Sequence, residues 1–562
     1  MFSYNILLKL KNNIIKLFRK NNTLFVLFLF SLIHISNLHL IGTFWDDLGY
    51  IRASEAVVDK VGIYFQDFNN PFLGEFNYNF EFYGLLIPLT ISLLTKIQFL
   101  NESVILFLNK FFGTVTLTTL DQQNILRFLY FYIISIIILS FLINNYFQIT
   151  NKQNTFFFTV FFLLTPTFNG HLFFNLKDVP FALIYFLSCI YVLKDKKLFS
   201  DKFKNNFQSN FILSILFSSL MLVRFSGVIF IGFLIFNYFL LNKIKFSISH
   251  FYNLAFIALL TGLLSFLFTP SAWRYPIKWI RGAIETQFFL DWGGFVLTNG
   301  QFLDAVNLPS NYLLTWFFYQ LPWPYILLFI YGTYLLIRSF KTLDIFTKFS
   351  LIFIFTILAF FSLTSPVTYD GIRQYLFLIP FIIHIVTVAF LHLIDKLEIK
   401  IIKIVFSVFI VTNLLYTQYS LYPYTYTYYN EFVEEDKITI DCETIGGCGS
   451  WETDYWGVSG KAIVTNTKDL VNKNKKVYSC KPDQVFTDYY NSENAYDIAG
   501  NLIVDKKNRF YVFMLHRPMN KNTLCKNNLI NSQNCKTIYT EKRRLRNTYI
   551  NLSYLLECNI NR

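Results

Sequence analysis

The chain has 562 residues, of which 54% are hydrophobic and only 15% are charged, and its mean hydropathy is +0.41. A soluble globular chain carries about 25% charged residues, so this composition argues against a soluble fold. The formal net charge is +14, but the basic residues form short clusters between apolar runs and make no single patch of the kind that binds nucleic acid. We therefore expect a protein embedded in a lipid bilayer.

The basic residues before the first apolar run predict the orientation of the chain. They are Lys9, Lys11, Lys16, Arg19 and Lys20. The positive-inside rule places such a cluster, and with it residues 1–22, in the cytoplasm. A cleaved signal peptide is the alternative, but no small-residue cleavage site follows the apolar stretch, so we expect a retained anchor.

Apolar runs of membrane-spanning length recur over residues 23–420. The predicted spans are 24–42, 83–100, 125–147, 154–170, 179–193, 210–223, 226–242, 252–269, 322–337, 348–364, 374–393 and 401–419. Counting spans between the basic clusters requires one more segment, and 103–120 is either a short crossing or a re-entrant piece. The sequence thus predicts an α-helical polytopic domain with about 12–13 transmembrane helices.

Four parts of the chain are predicted to lie outside the membrane. They are the first loop, 43–82, two further loops at about 270–321 and 365–373, and the tail, 421–562, which is polar and too long for a linker. Within the tail, Lys461–Leu470 has the pattern of a helix and Arg509–Leu515 that of a strand. We expect a C-terminal extracytoplasmic α/β domain.

Cysteine usage agrees with this division. Six of the seven cysteines are in the tail, and they are Cys442, Cys448, Cys480, Cys525, Cys535 and Cys558. An even set in the part predicted to be extracytoplasmic indicates disulfides, up to three, formed in an oxidising compartment. The spacing of the first two is not that of a zinc site. The sequence does not predict which cysteines pair.

Two adjacent acids, Asp46 and Asp47, follow the first predicted span. Carboxylates at the edge of a membrane are costly. Asp47 could simply cap a helix running through Ile51–Val61, but that accounts for one acid and not for two. A carboxylate in a partly dry site is also what a general base needs, and a neighbouring acid raises its pKa or shares a cation with it.

Several cations are predicted on the same face as the acid pair. Lys177 and Asp178 stand before a span, where they could be only a capped helix entry with an interfacial charge pair. Arg224, and Arg373 together with Asp370 in the segment 369–375, are also predicted to be external, as is Arg274. Guanidinium and ammonium groups near acids suggest a ligand that carries phosphate.

Aromatic residues concentrate near the start of the tail. Residues 422–429 are rich in tyrosine, and 452–459 read Glu-Thr-Asp-Tyr-Trp-Gly-Val-Ser. These rings could line a sugar site, or they could form the aromatic belt at the membrane surface, which is the interpretation we favour for 422–429.

Taken together, these motifs resemble the GT-C superfamily of lipid-phosphosugar-dependent glycosyltransferases, and most closely family 39, which includes protein O-mannosyltransferases and aminoarabinose transferases. The resemblance rests on Asp46-Asp47 after the first span and on Phe174-Asn-Leu-Lys-Asp-Val-Pro-Phe181. A bacterial subgroup of the family also has patterns similar to 369–373, 424–430 and 454–459. Leu176, Gln374 and Glu434-Glu435 depart from the subgroup's usual proline, histidine and paired glycines.

The resemblance implies inverting transfer of a sugar from a polyprenyl-phosphate donor to an extracytoplasmic protein, lipid or polysaccharide acceptor. Asp46 would be the general base, and Asp47 would orient the acceptor or assist a divalent cation. Lys177 and Arg373 would contact the donor phosphate, with Arg224 and Asp370 beside them, and Asp178 would shape the site or bind a cation. The enzyme would be a multi-pass protein of the inner (plasma) membrane with its site on the periplasmic side.

Two other functions compete with this one. A transporter or flippase of a lipid-linked or anionic substrate usually shows internal repeats and charges deep within its spans, whereas here no clear repeat is seen and the charges gather at one face. A catalytically inactive scaffold is the other, and the intact Asp46 argues against it. Donor sugar, acceptor and oligomeric state are not predicted.

Overall fold

The computed structural model describes residues 22–46, 49–51, 53–58, 82, 84–112, 119–199, 203–273, 275–289, 293–434, 451–471, 476–480, 483–490, 493–494, 510–516 and 534–559. Its α-helices are α1 Asn22–Ser36, α2 Leu86–Thr95, α3 Gln98–Phe112, α4 Thr119–Ile149, α5 Lys152–Leu163, α6 Pro166–His171, α7 Asp178–Leu193, α8 Phe203–Val223, α9 Gly227–Asn242, α10 Ile248–Leu267, α11 Pro276–Phe288, α12 Tyr312–Gln320, α13 Trp323–Arg338, α14 Ile345–Thr364, α15 Ile379–Lys396, α16 Lys400–Leu421, α17 Gly460–Asn466 and α18 Gln484–Thr487. Its strands are β1 Phe295–Thr298, β2 Gln301–Asp304, β3 Val477–Ser479, β4 Glu493–Asn494, β5 Phe510–Leu515, β6 Asn534–Leu545 and β7 Thr548–Asn559. A 3₁₀ helix, Arg373–Leu378, leads directly into α15.

The predicted fold class, an α-helical polytopic membrane protein with a small α/β tail, is confirmed. Among the described residues, six helices are long and apolar enough to cross a membrane, or eight if each of two bent pairs forms one span. Three shorter apolar helices, α1, α7 and α9, lie beside them. The predicted number of about 12–13 also included shorter runs, such as 154–170, which folds as α5 and α6 with a break between them.

The structure describes residues 103–112 and 119–120 of the stretch 103–120. Residues up to 112 belong to α3, which bends by 85° from α2 at a break after Thr95. The apolar run predicted as one span over 83–100 therefore changes direction before it ends. This geometry is that of a broken span or a re-entrant segment, so the short crossing and the re-entrant piece both stay predictions.

Helix α7 lies at the centre of the membrane domain. Every residue of α7 except Tyr191 is buried, and the helix contacts α4, α8 and the 3₁₀ helix Arg373–Leu378. A helix that is apolar all round can bury its whole surface in this way. Asp178 is the first residue of α7 and therefore lies at the end of this central helix, surrounded by the other helices.

The tail forms a mixed sheet with strand order β4-β3-β5-β7-β6. Strand β3 is parallel to β4 and β5, whereas β7 is antiparallel to β5 and β6. All residues of β5 are buried, as expected of a central strand. The predicted helix and strand of the tail correspond to α17 and β5.

One predicted disulfide set is seen in part. Cys535 and Cys558 are bonded across the β6–β7 hairpin, and Cys480 is also disulfide-bonded. Cys189 is buried and free. Cys442, Cys448 and Cys525 lie outside the described residues, so the full set of three disulfides stays a prediction.

The segment after α1 packs directly against the tail. A side chain at Gly42 would come within 2.7 Å of the carbonyl oxygen of Val458, so the close approach requires glycine. The Lys461 ammonium donates to the carbonyl of His39 at 2.8 Å, and the backbone N–H of Thr43 donates to the Tyr489 hydroxyl at 2.8 Å. The tail therefore fixes the path of the chain that leads to Asp46.

Candidate active site

Asp178 is held at the N-terminus of α7 by Asn175. The Asn175 side-chain oxygen accepts from the backbone N–H of Asp178 at 2.9 Å, and its amide nitrogen donates to Asp178 Oδ2 at 3.0 Å. Pro180 in the first turn fits a helix start, and a carboxylate there is stabilised by the helix dipole. The side chain of Asp178 is thereby fixed in one orientation.

Two arginines from distant parts of the chain meet Asp178. Arg224, between α8 and α9, pairs with Oδ1, and Arg373 Nε lies 3.8 Å from Oδ2. Arg373 also donates through Nη1 to Asp370 at 2.9 Å. Only 5% of the Arg373 side chain is exposed, against 23% for Arg224. Each buried charge thus has a partner, which offsets the cost of removing it from water.

The loop before the 3₁₀ helix turns sharply to bring Asp370 onto Arg373. Asp370 and Gly371 have φ angles of 60° and 66° in the left-handed region. A side chain at Gly371 would also come within 2.8 Å of the Gln320 and Trp316 side chains. Glycine is therefore required here both for the backbone angle and for space.

Lys177 is a third buried cation in this cluster. Its side chain stands over the Tyr50 ring, with Nζ 4.4 Å from the ring centre, and the residue is 6% exposed. Burial lowers the pKa of Lys177 to about 7, and the negative charge of Asp46 opposes this shift. The charge of Lys177 is therefore sensitive to any anion placed beside it.

Asp46 is half-buried and acts electrostatically on Lys177 and Arg373. Its position is set by its neighbour Trp45, whose backbone N–H donates to the carbonyl of Trp456 at 2.8 Å. The Trp45 carbonyl in turn accepts from the Gln484 side chain at 2.9 Å. Both partners belong to the tail, so the tail holds the acid against the cations.

Aromatic residues of the tail cover the cluster. The Trp456 ring centre lies 4.5 Å from the Arg373 guanidinium carbon, an attractive cation–π arrangement. The Tyr455 hydroxyl is 3.0 Å from His171 Nε2, and His171 Nδ1 is 3.3 Å from the Asn175 amide nitrogen. Burial lowers the pKa of His171 to about 3, with Asp178 opposing the shift. A neutral His171 accepting from Asn175 donates to Tyr455, which extends the network from Asp178 into the tail.

Asp454 shapes the turn that presents these two rings. Burial raises the pKa of its carboxyl, and hydrogen bonds from the surrounding donors oppose the shift. Its oxygens accept from the Tyr426 hydroxyl and from the backbone N–H groups of Gly457, Val458 and Ser459 at 2.8, 3.1 and 2.9 Å. This closed turn fixes the aromatic pair between Asp454 and Gly457 over the cluster.

The structure brings together six of the residues singled out from sequence. These are Asp46, Lys177, Asp178, Arg224, Asp370 and Arg373. Asp47 and Arg274 lie outside the described residues. No site role was predicted from sequence for His171, Asn175 or Tyr50. Tyr455 and Trp456, within 452–459, were predicted either to line a sugar site or to form an aromatic belt, and their packing over the charged cluster was not predicted. The hydrogen-bonding pair His171 and Asn175, four residues apart just before Asp178, was the available signal.

The surroundings of Asp178 do not suit a metal ion. Lys177, Arg224 and Arg373 already surround its carboxylate, and a further cation would be repelled by them. No group of three or more potential metal ligands occurs within the described ranges. The predicted cation shared by Asp47 and Asp178 stays untested because Asp47 lies outside those ranges.

Comparison with solved structures, and not with known sequences, identifies the fold. No protein-family model matches the chain, and no curated protein matches it by sequence. The structure of ArnT from Cupriavidus metallidurans in the apo state is similar, with a TM-score of 0.50, 10% identity, and coverage of 95% of this chain and 98% of ArnT. The structure of the same ArnT bound to undecaprenyl phosphate gives a TM-score of 0.45, 10% identity, and coverage of 94% and 97%. The apo comparison shows that the chain has the predicted GT-C-like fold over nearly its whole length.

Proposed function

We propose that this protein is a membrane glycosyltransferase that moves a sugar from a polyprenyl-phosphate-linked donor to an extracytoplasmic acceptor. One observation carries the proposal: Arg224 Nε and Arg373 Nε are buried guanidinium N–H groups with no hydrogen-bond acceptor among the described residues. Buried donors of this kind are costly unless a ligand satisfies them. Both arginines act electrostatically on Lys177, and Arg373 also interacts with Asp46, which makes a phosphate-bearing ligand the chemical match.

The formal charges of the cluster balance before a ligand binds. Lys177, Arg224 and Arg373 face Asp178, Asp370 and Asp46. A phosphate is therefore indicated by the two arginine Nε–H groups that have no acceptor among the described residues, and not by an excess of positive charge. Once Asp46 has taken a proton from the acceptor, one positive charge is left over to stabilise the departing phosphate.

The reaction would proceed by a single displacement. The acceptor hydroxyl oxygen forms a bond to the anomeric carbon of the sugar while Asp46 takes the hydroxyl proton. The bond from that carbon to the phosphate oxygen breaks, and the oxygen keeps the electron pair. Lys177, Arg224 and Arg373 stabilise the negative charge that develops on the departing polyprenyl phosphate. Attack from the face opposite the leaving group inverts the anomeric configuration.

The orientation is part of the proposal. The basic residues before α1 favour a cytoplasmic N-terminus, which places the cluster and the tail, 421–562, on the extracytoplasmic side of the inner membrane. The membrane domain, 23–420, would hold the donor lipid, and the first external loop, 43–82, would carry the base. The GT-C-like fold and the resemblance of the sequence motifs to family 39 support this assignment. Asp47 would assist Asp46 by orienting the acceptor.

Mass spectrometry of envelope glycans and glycoproteins tests the function in cells. Cells without the gene should lose one glycan modification, and the wild-type gene should restore it. Asp46→Asn should not restore it, because the amide cannot accept the acceptor's proton. Glu55→Gln is the matched control: Glu55 lies in the same loop, is 42% exposed and is 3.5 Å from Arg127, so its loss should leave the modification intact. An unchanged glycan profile in cells without the gene, or full restoration by Asp46→Asn, would overturn the proposal.

A further inference from the structure

A cavity lies between the ends of α1 and α16 and the tail, and none of its lining residues belongs to the charged cluster. Its volume is about 710 Å³, within the range of ligand-binding pockets. Phe30 and Ile33 of α1 and Leu415 of α16 form apolar walls. Ile33 and Leu415 are also 59% and 49% exposed, so the walls continue onto the lipid-facing surface of the membrane domain.

Basic residues of the β6–β7 hairpin stand at this cavity. The sequence around the hairpin turn is Glu541-Lys-Arg-Arg-Leu-Arg546, and Arg543 and Arg544 line the cavity. Arg543 Nε donates to the Tyr422 carbonyl at 3.2 Å, directly after α16. Glu541 is buried and pairs with Arg543, whereas Arg544 is exposed. The tip therefore keeps a net positive charge beside an apolar pocket.

Buried polar groups without partners line the same cavity. Within the part of the chain that the structure describes, Gln418 has no hydrogen bond at either amide atom, and His34 Nδ1 and Asn169 Oδ1 also have none. These residues are only 8%, 3% and 1% exposed. Unsatisfied buried groups are rare in proteins and point to a ligand or ordered water. Gln418 precedes Tyr422 by about one helical turn, so it lies roughly 5 Å deeper along α16 than the carbonyl that receives Arg543.

We propose that this cavity binds an anionic glycerophospholipid of the bilayer. Its phosphate would contact Arg543 and Arg544, and its acyl chains would follow the apolar walls. The glycerol and ester groups directly below the phosphate would satisfy Gln418, His34 and Asn169. A polyprenyl phosphate lacks polar atoms below its phosphate and would leave those three groups unpaired, so the glycerophospholipid fits better. Basic pockets between transmembrane helices recognise anionic headgroups by the same physics.

Binding measurements on the purified full-length protein test this site without any glycosyl transfer. Native mass spectrometry, or titration in detergent, should show phosphatidylglycerol binding more tightly than phosphatidylcholine. Arg544→Gln should weaken phosphatidylglycerol binding by about tenfold, as expected for one charge-assisted contact. Gln418→Leu should also weaken it while leaving binding of a polyprenyl phosphate unchanged. Arg338→Gln, which removes an arginine at the last turn of α13, is the matched control and should bind like the wild type.

Several outcomes would overturn the site. They are equal affinity for phosphatidylcholine and phosphatidylglycerol, binding of polyprenyl phosphate in place of phosphatidylglycerol, and equal weakening by Arg338→Gln and Arg544→Gln. Because Arg544 is exposed, its substitution should leave the thermal unfolding temperature unchanged, which separates lost binding from lost folding. The inference does not rest on the proposed reaction, since the cavity residues take no part in it.

Discussion

Arginines occur in two different environments in this molecule, and the difference lies in their burial. Arg224 and Arg373 meet inside the bundle, where they pair with Asp178 and Asp370. At the hairpin tip, Arg544 is exposed and stands beside an open cavity. Buried guanidinium groups are held in fixed positions and act over short distances in a low dielectric, whereas exposed ones attract anions weakly and are screened by salt. The first arrangement suits catalysis and the second suits recruitment of a lipid.

The largest expected effect on stability comes from removing one partner of a buried ion pair. Arg373→Gln should destabilise the protein by about 3–5 kcal/mol, because Asp370 keeps its charge without a counterion. Arg544→Gln should change stability by less than about 0.5 kcal/mol, as is usual for surface substitutions. Thermal or denaturant unfolding of both variants in the same detergent measures this. Similar losses for the two variants would show that burial does not distinguish the two regions.

A smaller effect is expected at the turn that covers the buried cluster. Asp454→Asn keeps one acceptor oxygen and replaces the other by an amide N–H₂ group, which would face either the N–H groups of Gly457 and Val458 or the N–H group of Ser459. This should cost about 1–3 kcal/mol of stability and loosen the aromatic pair over Arg373. Sugar transfer should fall through a higher KM for the acceptor or donor more than through the rate of chemistry. Wild-type stability and wild-type KM in this variant would show that Asp454 does not position the aromatic pair.

Donor binding at the buried cluster should depend on pH. Since burial lowers the pKa of Lys177 to about 7, its ammonium is charged below that pH and neutral above it in the free protein. Donor binding should therefore weaken above roughly pH 7 by up to about tenfold for each pH unit, because binding must then be accompanied by the uptake of one proton by Lys177. Lys177→Arg keeps its charge and should bind the donor with little change over this range.

The lowered pKa of Lys177 should also make the stability of the protein depend on pH. Stability should rise with pH, whereas donor binding should weaken. The unfolded chain holds the lysine proton up to its ordinary pKa of about 10.5, whereas the folded chain releases it near 7. Between these values the unfolded state binds more protons, so the stability of the ligand-free protein should rise with pH. Unfolding of the wild type and of Lys177→Met over that range measures the effect, and the slope should disappear in the variant.

The smallest expected effect is that of salt. Raising the ionic strength from about 0.05 M to about 0.5 M should weaken phosphatidylglycerol binding at the hairpin tip more than donor binding at the cluster, because screening acts chiefly on exposed charges. Titrations of both lipids at each salt concentration make the comparison. Equal salt dependence would contradict the assignment of one site to the interior and one to the surface.

Much of the architecture was predictable from sequence because the membrane requires long apolar helices. The bend between α2 and α3 was not, since hydropathy carries no information on direction. Asp178 and Arg373 stood out as charges in an apolar chain, and that rarity is what made them predictable. Tyr50 did not stand out, because aromatic residues make up 20% of the chain, and Tyr455 and Trp456 were predicted only to line a sugar site or to form an aromatic belt. Their contribution to the cluster depends on how the tail packs against the membrane domain, which only the folded structure shows.

The central claim is that the buried cations hold the donor while Asp46 carries out proton transfer. Single-turnover transfer by purified wild-type protein and Asp46→Asn, with donor binding measured separately on each, tests it most directly. We predict that the variant binds the polyprenyl-phosphate-linked donor within about threefold of the wild type, because the cations remain, and transfers its sugar about 10²–10⁴ times more slowly. Transfer at the wild-type rate by Asp46→Asn would contradict the account, and so would a loss of donor binding that fully explains the slower reaction.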